Sequence, residues 1–589
     1  MTASPPASAG GAPTVRDAAV AAWRRLGCTT VFANPGSSEV PLLAGLPDDI
    51  GFVLGLHEAT VVGAATGHAI ATGRPSLVVL HTTAGFGNAV SALATARVNR
   101  APLVVIVGQQ DRRHLAQRPF LTGDLDGLAG SYPVWSCTPA LARDVPGALV
   151  RAWHEARRGR GPAVVVVPMG DWDEPADPVA ELGPAVLHDA TGVDPGVLDP
   201  LVAMLDAAGA PALVVGADAD DARTWSALTD LAERLRCPVW QESFGARAGF
   251  PQDHPQFRGH LPSGRSRLRA LLAPHDTVLV VGAPAFRQYG YEPGPLVADG
   301  TVVAMVVDDP ELAHHSRSDL AVVGPLAPVC RQLAGRVAPR AAPASSAPAG
   351  ADGPTPADLR ACDTQPVRTL AFDAQPADVP ASHTTSADGA SAGGGGRAPG
   401  GAGAGSGLRA VDVFAALARR LPPEAIVVEE TPSSRPELHA IVPARRPLGF
   451  VSAAMGGLGF ALPAAVGLRM GRPDRPVVAV VGDGSALYAI QALWTAAHYG
   501  VGVLFVVLRN GRYAIMDHLA RRHGAPAPWP GFVEVDVATL AGGFGCPSRH
   551  VAERADLHDA LDTWFAPGAS PGAPLLLQVA VADEPTLAV

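Results

Sequence analysis

Lysine is absent from the 589 residues, so all 45 basic side chains are arginine. This absence excludes a lysine Schiff base of the kind that pyridoxal phosphate enzymes use, and it excludes the phosphate-binding lysine of a Walker motif. Charged residues make up only 17% of the chain, and the formal net charge of −10 comes without a basic cluster. This charge distribution argues against nucleic acid as a partner.

Cysteine is also scarce, and no CxxC pair is present. The six cysteines are scattered, at positions 28, 137, 237, 330, 362 and 546. They favour free thiols in a reducing compartment over a zinc site or a disulfide framework. The N-terminal segment MTASPPASAGGAP lacks the pattern of a signal peptide, and no apolar run is long enough for a membrane span. We therefore expect a cytoplasmic protein without membrane contact.

Short apolar runs alternate with helical patterns in three regions of similar length, which is typical of parallel α/β domains. A chain of this length is too long for one hydrophobic core. We predict an α/β fold with three doubly wound domains and parallel sheets, at residues 13–184, 190–338 and 408–589. Residues 339–407 are dominated by Ala, Pro, Gly and Ser, and this composition predicts a flexible linker.

The predicted strands are short apolar runs, and most end at glycine or polar residues. In the first domain they are 30–33, 52–56, 77–80, 103–107 and 163–167; in the second, 212–215, 238–240, 277–281 and 302–306; in the third, 425–428, 477–481, 503–508 and 575–579. Ligands of open parallel sheets bind beyond the carboxyl ends of the strands. The loops that follow these strands are therefore where chemistry is expected.

The segment VVAVVGDGSALYAIQALWTAAHYGVGVLFVVLRNGRY predicts a site for a metal and a phosphate. One buried strand ends at Asp483, a helix is predicted to continue through about His498, and a second buried strand ends at Asn510. A right-handed crossover brings both side chains to one edge of the sheet. Their oxygens suit Mg²⁺, and Gly484 allows backbone N–H groups to approach phosphate oxygens. The alternative is that these residues only form turns.

This segment resembles the thiamine-diphosphate-binding motif of the decarboxylase and acetohydroxyacid-synthase superfamily, in which GDG precedes an Asn pair by one helix and one strand. The pair here is Arg509-Asn510, a departure at its first, non-ligand member. NPGSSE, LHEA, LHTTAGFGNA, GAPAFR, GGLGFALPAA and GDGS follow one another in the order typical of that family, above all of the benzoylformate decarboxylases. The resemblance covers nearly the whole chain outside the N-terminal tail and the linker.

The resemblance implies thiamine diphosphate and Mg²⁺ as cofactors. It assigns the metal to Asp483, Asn510 and the carbonyl of Arg512, and contacts with the diphosphate to Ser433 and Ser485. This family holds its active sites at subunit interfaces, so we expect a homo-oligomer, a dimer at least and a tetramer as the assembled form.

Thiamine diphosphate requires a carboxyl group against its aminopyrimidine ring. The resemblance implies that Glu58 in LGLHEATVVGAATG is this group, whereas the alternative is a glutamate that stabilises a helix N-terminus. It also implies that Leu458 wedges the cofactor into a bent shape and that the carbonyl of Gly456 accepts from its amino group. The alternative for GGLGFALPAA is a glycine-rich helix entry that packs on the sheet.

Three positions are candidates for the substrate end of the site. Ser37 follows a strand, and with Ser38 as the helix cap it would be free to bind the substrate carboxylate, as the resemblance implies. His81 ends a strand and starts the predicted loop HTTAGFGN; the resemblance makes it an acid/base, and the alternative is a polar surface residue. Tyr289 aligns with the second active-site histidine of the family and is a further catalytic candidate.

Other pocket positions also depart from the family pattern. Ser452, Met516 and Leu519 stand where the family has aromatic pocket residues, and Arg435 replaces a small polar residue. These departures favour a 2-keto acid that is larger or more acidic than benzoylformate.

The function that the resemblance implies is that of a carboxy-lyase, which decarboxylates a benzoylformate-like 2-keto acid to an aldehyde and CO₂ without oxidation. A carboligase of the acetohydroxyacid-synthase type is one alternative. A nicotinamide oxidoreductase is another, but Gly85-Phe86-Gly87 has no third glycine at Val90. An inactive homologue is disfavoured because the candidate catalytic and metal residues are retained together. Whether the middle domain binds a nucleotide stays open.

Overall fold

The computed structural model describes residues 12–176, 192–340, 407–566, 568 and 572–582. Three sheets, each of six parallel strands, confirm the predicted α/β fold with three parallel sheets. Most of the predicted linker lies outside the described residues. Within the described ranges, no helix is both long and apolar enough to cross a membrane.

The first sheet has the strand order β2-β1-β3-β4-β6-β5. Its strands are β1 (Thr30–Asn34), β2 (Gly51–Leu54), β3 (Ser76–Leu80), β4 (Leu103–Gln109), β5 (Trp135–Cys137) and β6 (Pro162–Pro168). Its helices are α1 (Val15–Leu26), α2 (Val40–Leu43), α3 (Glu58–Thr72), α4 (Thr82–Val98) and α5 (Val145–Gly159). Every residue of β3, β4 and β6 is buried, because helices cover both faces of a parallel sheet.

The second sheet has the order β12-β11-β10-β7-β8-β9. Its strands are β7 (Pro211–Val215), β8 (Val239–Gln241), β9 (Phe257–His260), β10 (Thr277–Val281), β11 (Val302–Val307) and β12 (Leu320–Val323). Its helices are α6 (Asp199–Ala207), α7 (Ala222–Leu235), α8 (Arg265–Leu272), α9 (Pro310–His314) and α10 (Leu326–Arg336).

Dinucleotide-binding sheets have this same strand order. Their ligands lie at the point where the strand order reverses, which is here between β7 and β10. The loops at this position pack closely on one another. A Cβ atom on Gly216 would overlap Ala283, and one on Gly249 would lie 2.9 Å from the backbone nitrogen of Gly216. Asp218, in the same loop, forms an ion pair with Arg100 of the first domain. The loop after β7 therefore contacts both the rest of its own domain and the first domain.

The third sheet has the order β14-β13-β15-β16-β18-β17, which repeats the order of the first. Its strands are β13 (Ile426–Glu430), β14 (Phe450–Ser452), β15 (Val477–Gly482), β16 (Val503–Arg509), β17 (Ser548–Val551) and β18 (Leu575–Ala580). Its helices are α11 (Ala410–Arg420), α12 (Arg435–Ile441), α13 (Ala461–Gly471), α14 (Asp483–Ala486), α15 (Ala492–His498), α16 (Ala514–Arg522), α17 (Val537–Gly543) and α18 (Arg554–Trp564).

Helices α3 and α13 occupy equivalent places in the first and third domains and pack directly on each other. A Cβ atom on Gly467 of α13 would overlap the carbonyl oxygen of Ala64, and one on Gly67 of α3 would overlap that of Ala464. The two helix backbones therefore touch at glycine. Because α3 begins at Glu58 and α13 follows the GGLGF segment, this contact fixes the relative position of two predicted site segments.

Gly467→Ala is expected to destabilise the protein, because the added methyl group meets backbone that cannot move independently. Overpacking of this kind costs about 1–3 kcal/mol, measurable as a lower free energy of unfolding in denaturant. Gly542→Ala in α17 is the control, since its Cβ would have open space around it. A Gly467→Ala protein as stable as the wild type would contradict a backbone contact at this crossing.

Two sequence predictions about local structure are wrong. The segment between Asp483 and His498 forms two short helices, α14 and α15, rather than one helix. The predicted loop after His81 is the first part of α4. Gly85 in this helix allows close packing: a Cβ atom on it would lie 3.3 Å from His81 Cβ and 3.4 Å from Glu58 Cγ.

Candidate active site

Glu58 is the first residue of α3, directly after β2, and its side chain is buried. Asn34, at the end of β1, donates its amide Nδ2 to Glu58 Oε1 at 3.0 Å. Asn88 of α4 donates to Glu58 Oε2 at 3.0 Å. Both carboxyl oxygens are thus held by neutral donors, and the group lies at the carboxyl edge of the first sheet, as predicted. The two asparagines were not predicted.

His81 is the N-cap residue of α4 and lies beside Glu58, since both border the small residue Gly85. Its Nδ1 is 3.0 Å from Glu39 Oε2 and 2.9 Å from Ser38 Oγ. The structure therefore brings Glu58 and His81 together, as expected, and adds a buried acid that sequence reasoning missed.

Ser37 starts a short helical turn after β1 and is exposed. The expectation that Ser38 caps the following helix is wrong, because its hydroxyl donates to Glu39 Oε1 at 2.6 Å instead. The backbone N–H of Gly36 is bound by Glu39 Oε2 at 2.7 Å, so an acid rather than a serine closes this turn. Ser37 is exposed between Gly36 and Ser38, two residues that lie against His81.

Asp483 and the end of β16 meet at one edge of the third sheet, as their spacing predicted. Strands β15 and β16 are hydrogen-bonded neighbours. Asp483 Oδ1 accepts from the backbone N–H of Gly484 at 2.8 Å, and Oδ2 accepts from those of Asn510 at 3.0 Å and Gly511 at 2.7 Å. Gly511 has a φ of 69°, a left-handed turn that suits glycine. The side chain of Asn510 accepts from the backbone N–H of Arg512 at 3.2 Å.

This edge fits a divalent cation. Asp483 is only 5% exposed, and burial raises the pKa of its carboxyl although three backbone N–H groups donate to it. Among the described residues, no arginine or histidine forms an ion pair with it. A bound Mg²⁺ would supply the missing positive charge, and carboxylate and amide oxygens are its usual ligands. The side chain of Arg512 pairs with Asp517 at 2.8 Å, which leaves only its backbone as a candidate ligand.

The segment 453–459, which contains Gly456 and Leu458, is anchored at both ends. At its start, Asn99 clamps the chain: its Nδ2 donates to the carbonyl of Ser452, and its Oδ1 accepts from the N–H of Ala454, both at 2.9 Å. At its end, Glu430 accepts from three backbone N–H groups, those of residues 459–461, at 2.7–2.8 Å. Burial raises the pKa of Glu430 to about 7.

Gly456 is exposed and Leu458 is half-buried, so both are available to a ligand at this edge. Two serines flank it: Ser433 is half-buried just before α12, and Ser485 is buried in α14. Gly484 has no room for a side chain, since a Cβ atom would lie 2.7 Å from the ring of Tyr513.

The predicted pocket residues differ in their exposure and in their partners. The Nε of Arg435 is 3.3 Å from Glu429 Oε2, so its charge is already paired. Tyr289 is 64% exposed, with its ring centroid 6.5 Å from that of Phe244. Ser452 is buried at the end of β14, whereas Met516 is exposed and Leu519 half-buried, both on α16.

The candidate residues form two separate groups. Within the described part of one chain, no hydrogen bond or ion pair joins the group around Glu58 and His81 to the group around Asp483 and Asn510. Each group ends at the carboxyl edge of its own sheet, the first and the third respectively.

Comparison with known proteins identifies the family. Residues 13–129 match the N-terminal TPP binding domain of thiamine pyrophosphate enzymes, residues 198–333 match their central domain, and residues 433–579 match their C-terminal TPP binding domain. Benzoylformate decarboxylase of Pseudomonas aeruginosa is 36% identical over 552 residues, which cover 93% of this chain and 96% of that protein. An acetolactate synthase large subunit of Parasynechococcus marenigrum is 26% identical, over 95% of this chain and 86% of that protein.

Among solved structures, the thiamine diphosphate-dependent 4-hydroxybenzoylformate decarboxylase of Rhodococcus jostii RHA1 is similar, with a TM-score of 0.82 and 33% identity. The match covers 97% of this chain and 100% of that one. The chain belongs to the family of thiamine pyrophosphate enzymes and is similar to their benzoylformate decarboxylases over nearly its whole length.

Proposed function

We propose that the protein is a carboxy-lyase that converts a benzoylformate-like 2-keto acid into an aldehyde and CO₂. The observation that carries this proposal is that Glu58 and His81 both border Gly85, which places a buried carboxyl group near a histidine at one sheet edge. A carboxyl group to activate the cofactor and an adjacent acid/base are what such a reaction requires of the protein.

The third domain binds the cofactor in this proposal. Asp483, Asn510 and the carbonyl of Arg512 hold Mg²⁺, and Ser433 and Ser485 contact the diphosphate. Thiamine diphosphate, when bound, supplies the nucleophilic carbon and the electron sink for decarboxylation. The anchored segment 453–459 presents Leu458 and the Gly456 carbonyl to the middle of the cofactor.

Glu58 holds the proton that is exchanged with the aminopyrimidine nitrogen. Asn34 and Asn88 donate to its two oxygens and so fix the orientation of the carboxyl group. Among the described residues, no hydrogen bond or ion pair links Glu58 to the cofactor group of its own chain. We therefore propose that a second copy of the chain completes each site.

The substrate end combines one hydroxyl, one histidine and an aromatic wall. Ser37 would bind the substrate carboxylate and His81 would transfer protons. Tyr289 and Phe244 form an aromatic surface, which suits an aryl group better than a second carboxylate. Arg435 does not favour an acidic substrate, because Glu429 already pairs with it.

A panel of 2-keto acids tests this proposal. Release of CO₂ and of aldehyde is measured with benzoylformate, 4-hydroxybenzoylformate, pyruvate and 2-ketoglutarate, with thiamine diphosphate and Mg²⁺ present. We expect the two aryl substrates to have the highest kcat/KM and to yield one aldehyde for each CO₂. A preference for 2-ketoglutarate would contradict the inference that Arg435, already paired with Glu429, does not bind an acidic substrate. A coupled hydroxyketone as the main product would identify a carboligase.

A further inference from the structure

Glu39 and Ser38 form a buried cluster with His81 that the reaction outlined above does not yet use. The side chain of Glu39 is only 1% exposed, and that of His81 is 16% exposed. Glu39 Oε2 is 3.0 Å from His81 Nδ1, and its Oε1 is 2.6 Å from Ser38 Oγ. A carboxylate this deeply buried is costly unless its oxygens are bound by donors.

The donors of this cluster can be assigned by elimination. The ionised carboxylate of Glu39 only accepts hydrogen bonds, and it takes them from the N–H of Gly36 and the hydroxyl of Ser38. The hydroxyl proton of Ser38 is thereby used, so Ser38 cannot also donate to Nδ1. Nδ1 must then carry a proton of its own, which it shares between Glu39 Oε2 and Ser38 Oγ.

The surrounding backbone is shaped for this arrangement. A Cβ atom on Gly36 would overlap the imidazole ring of His81, and one on Gly108 of β4 would overlap Glu39 Oε1. Two glycines therefore make room, one for the ring and one for the carboxylate. With the ring packed against Gly36 and Nδ1 bound, both the rotation and the tautomer of His81 are fixed.

We propose that Glu39 is a positioning residue, which holds His81 with its proton on Nδ1 and leaves Nε2 as the nitrogen that exchanges protons with the reacting groups. No described residue hydrogen-bonds to Nε2. The hydrogen bond that one ring nitrogen makes decides which nitrogen is protonated. The negative charge of Glu39 also stabilises the imidazolium that forms when Nε2 takes up a proton. The inference rests on the proposed role of His81 in proton transfer.

The test uses ¹⁵N NMR of histidine-labelled, cofactor-loaded protein at a pH where His81 is neutral, with its signals assigned by comparison with His81→Ala. We expect the wild-type His81 to show a protonated Nδ1 and an unprotonated Nε2. Glu39→Gln, which is nearly isosteric but uncharged, should lose this preference. Glu155→Gln on α5, whose side chain is half-buried and pairs with Arg151, is the control and should leave the His81 signals unchanged.

Kinetics separate positioning from a purely structural role. In Glu39→Gln we expect kcat with benzoylformate to fall about 10²-fold, the usual scale for a disabled acid/base. Exchange of the cofactor C2 proton depends on Glu58 and should stay near the wild-type rate. Glu39→Asp, which keeps the charge, should retain the Nδ1-protonated tautomer and recover part of kcat, whereas Glu39→Asn should not.

A wild-type His81 with an unprotonated Nδ1 would overturn the inference whether or not any variant folds. So would a Glu39→Gln enzyme that keeps both the tautomer and the wild-type kcat. Failure of the proposed function is a different result: the wild type would release no CO₂ from any 2-keto acid, while the tautomer would still depend on Glu39.

Discussion

Removal of the cofactor and the metal is expected to abolish activity, and only thiamine diphosphate and Mg²⁺ together should restore it. The Asp483→Ala variant should not regain activity at any concentration of thiamine diphosphate and Mg²⁺. The methyl group of alanine offers no oxygen to the metal. Among the described residues, Asp483 is the only carboxylate at the buried edge between β15 and β16. It also orders the turn at Asn510 and Gly511 by accepting from their backbone N–H groups. Activity is measured as CO₂ release after dialysis against a chelator and after each addition.

Asp474→Ala is the matched control for this experiment. Asp474 precedes the same strand, β15, but it lies at the surface and pairs with Arg472. This variant should regain wild-type activity on reloading. Full activity of the wild type after exhaustive removal of cofactor, or recovery of Asp483→Ala, would refute the assignment of this edge.

Glu58→Gln is expected to keep the fold and bind thiamine diphosphate but to lose most of its turnover. The amide matches the carboxyl group in size, yet it cannot give up and take back a proton at the pyrimidine nitrogen. The rate of C2 proton exchange, followed by ¹H NMR in deuterated solvent, should fall by about 10²-fold or more. Wild-type exchange in this variant would show that another group activates the cofactor.

The same two variants test whether a second chain completes each site. If Glu58 and Asp483 of different chains meet in one site, a hybrid of one Glu58→Gln chain and one Asp483→Ala chain contains one intact site. Co-expression with two affinity tags yields that hybrid, which should regain activity that neither parent has. An inactive hybrid whose Glu58→Gln chain still binds thiamine diphosphate would place both residues in the site of a single chain.

The central strands and the metal edge could be predicted because burial imposes a strong pattern on the sequence. All the predicted strands are present, and Asp483 meets Asn510 because one crossover leaves no other arrangement. The five missed strands, β5, β9, β12, β14 and β17, all lie at sheet edges. Edge strands here have three or four residues and mostly mixed exposure, so neither alternation nor an apolar run marks them.

The supporting side chains of the site were harder to find for a different reason. Asn34, Asn88 and Glu39 are distant in sequence from the groups they hold. Only the folded chain brings them into contact with those groups. A usable signal existed for Glu430: two adjacent glutamates end an otherwise apolar strand, and buried acids need several donors. The helix after His81 was missed because its glycines serve packing, which sequence propensity cannot distinguish from flexibility.

Helix α4 has a consequence for attempts to redesign this protein's substrate range. It starts beside His81, holds Glu58 through Asn88, and ends at Asn99, which clamps the segment that contains Leu458. Its 17 residues form a rod about 25 Å long that hardly compresses. Substitutions that retune the substrate end will therefore shift the far end as well. Libraries built on α4 should be screened for retention of thiamine diphosphate in the same round as for new substrates.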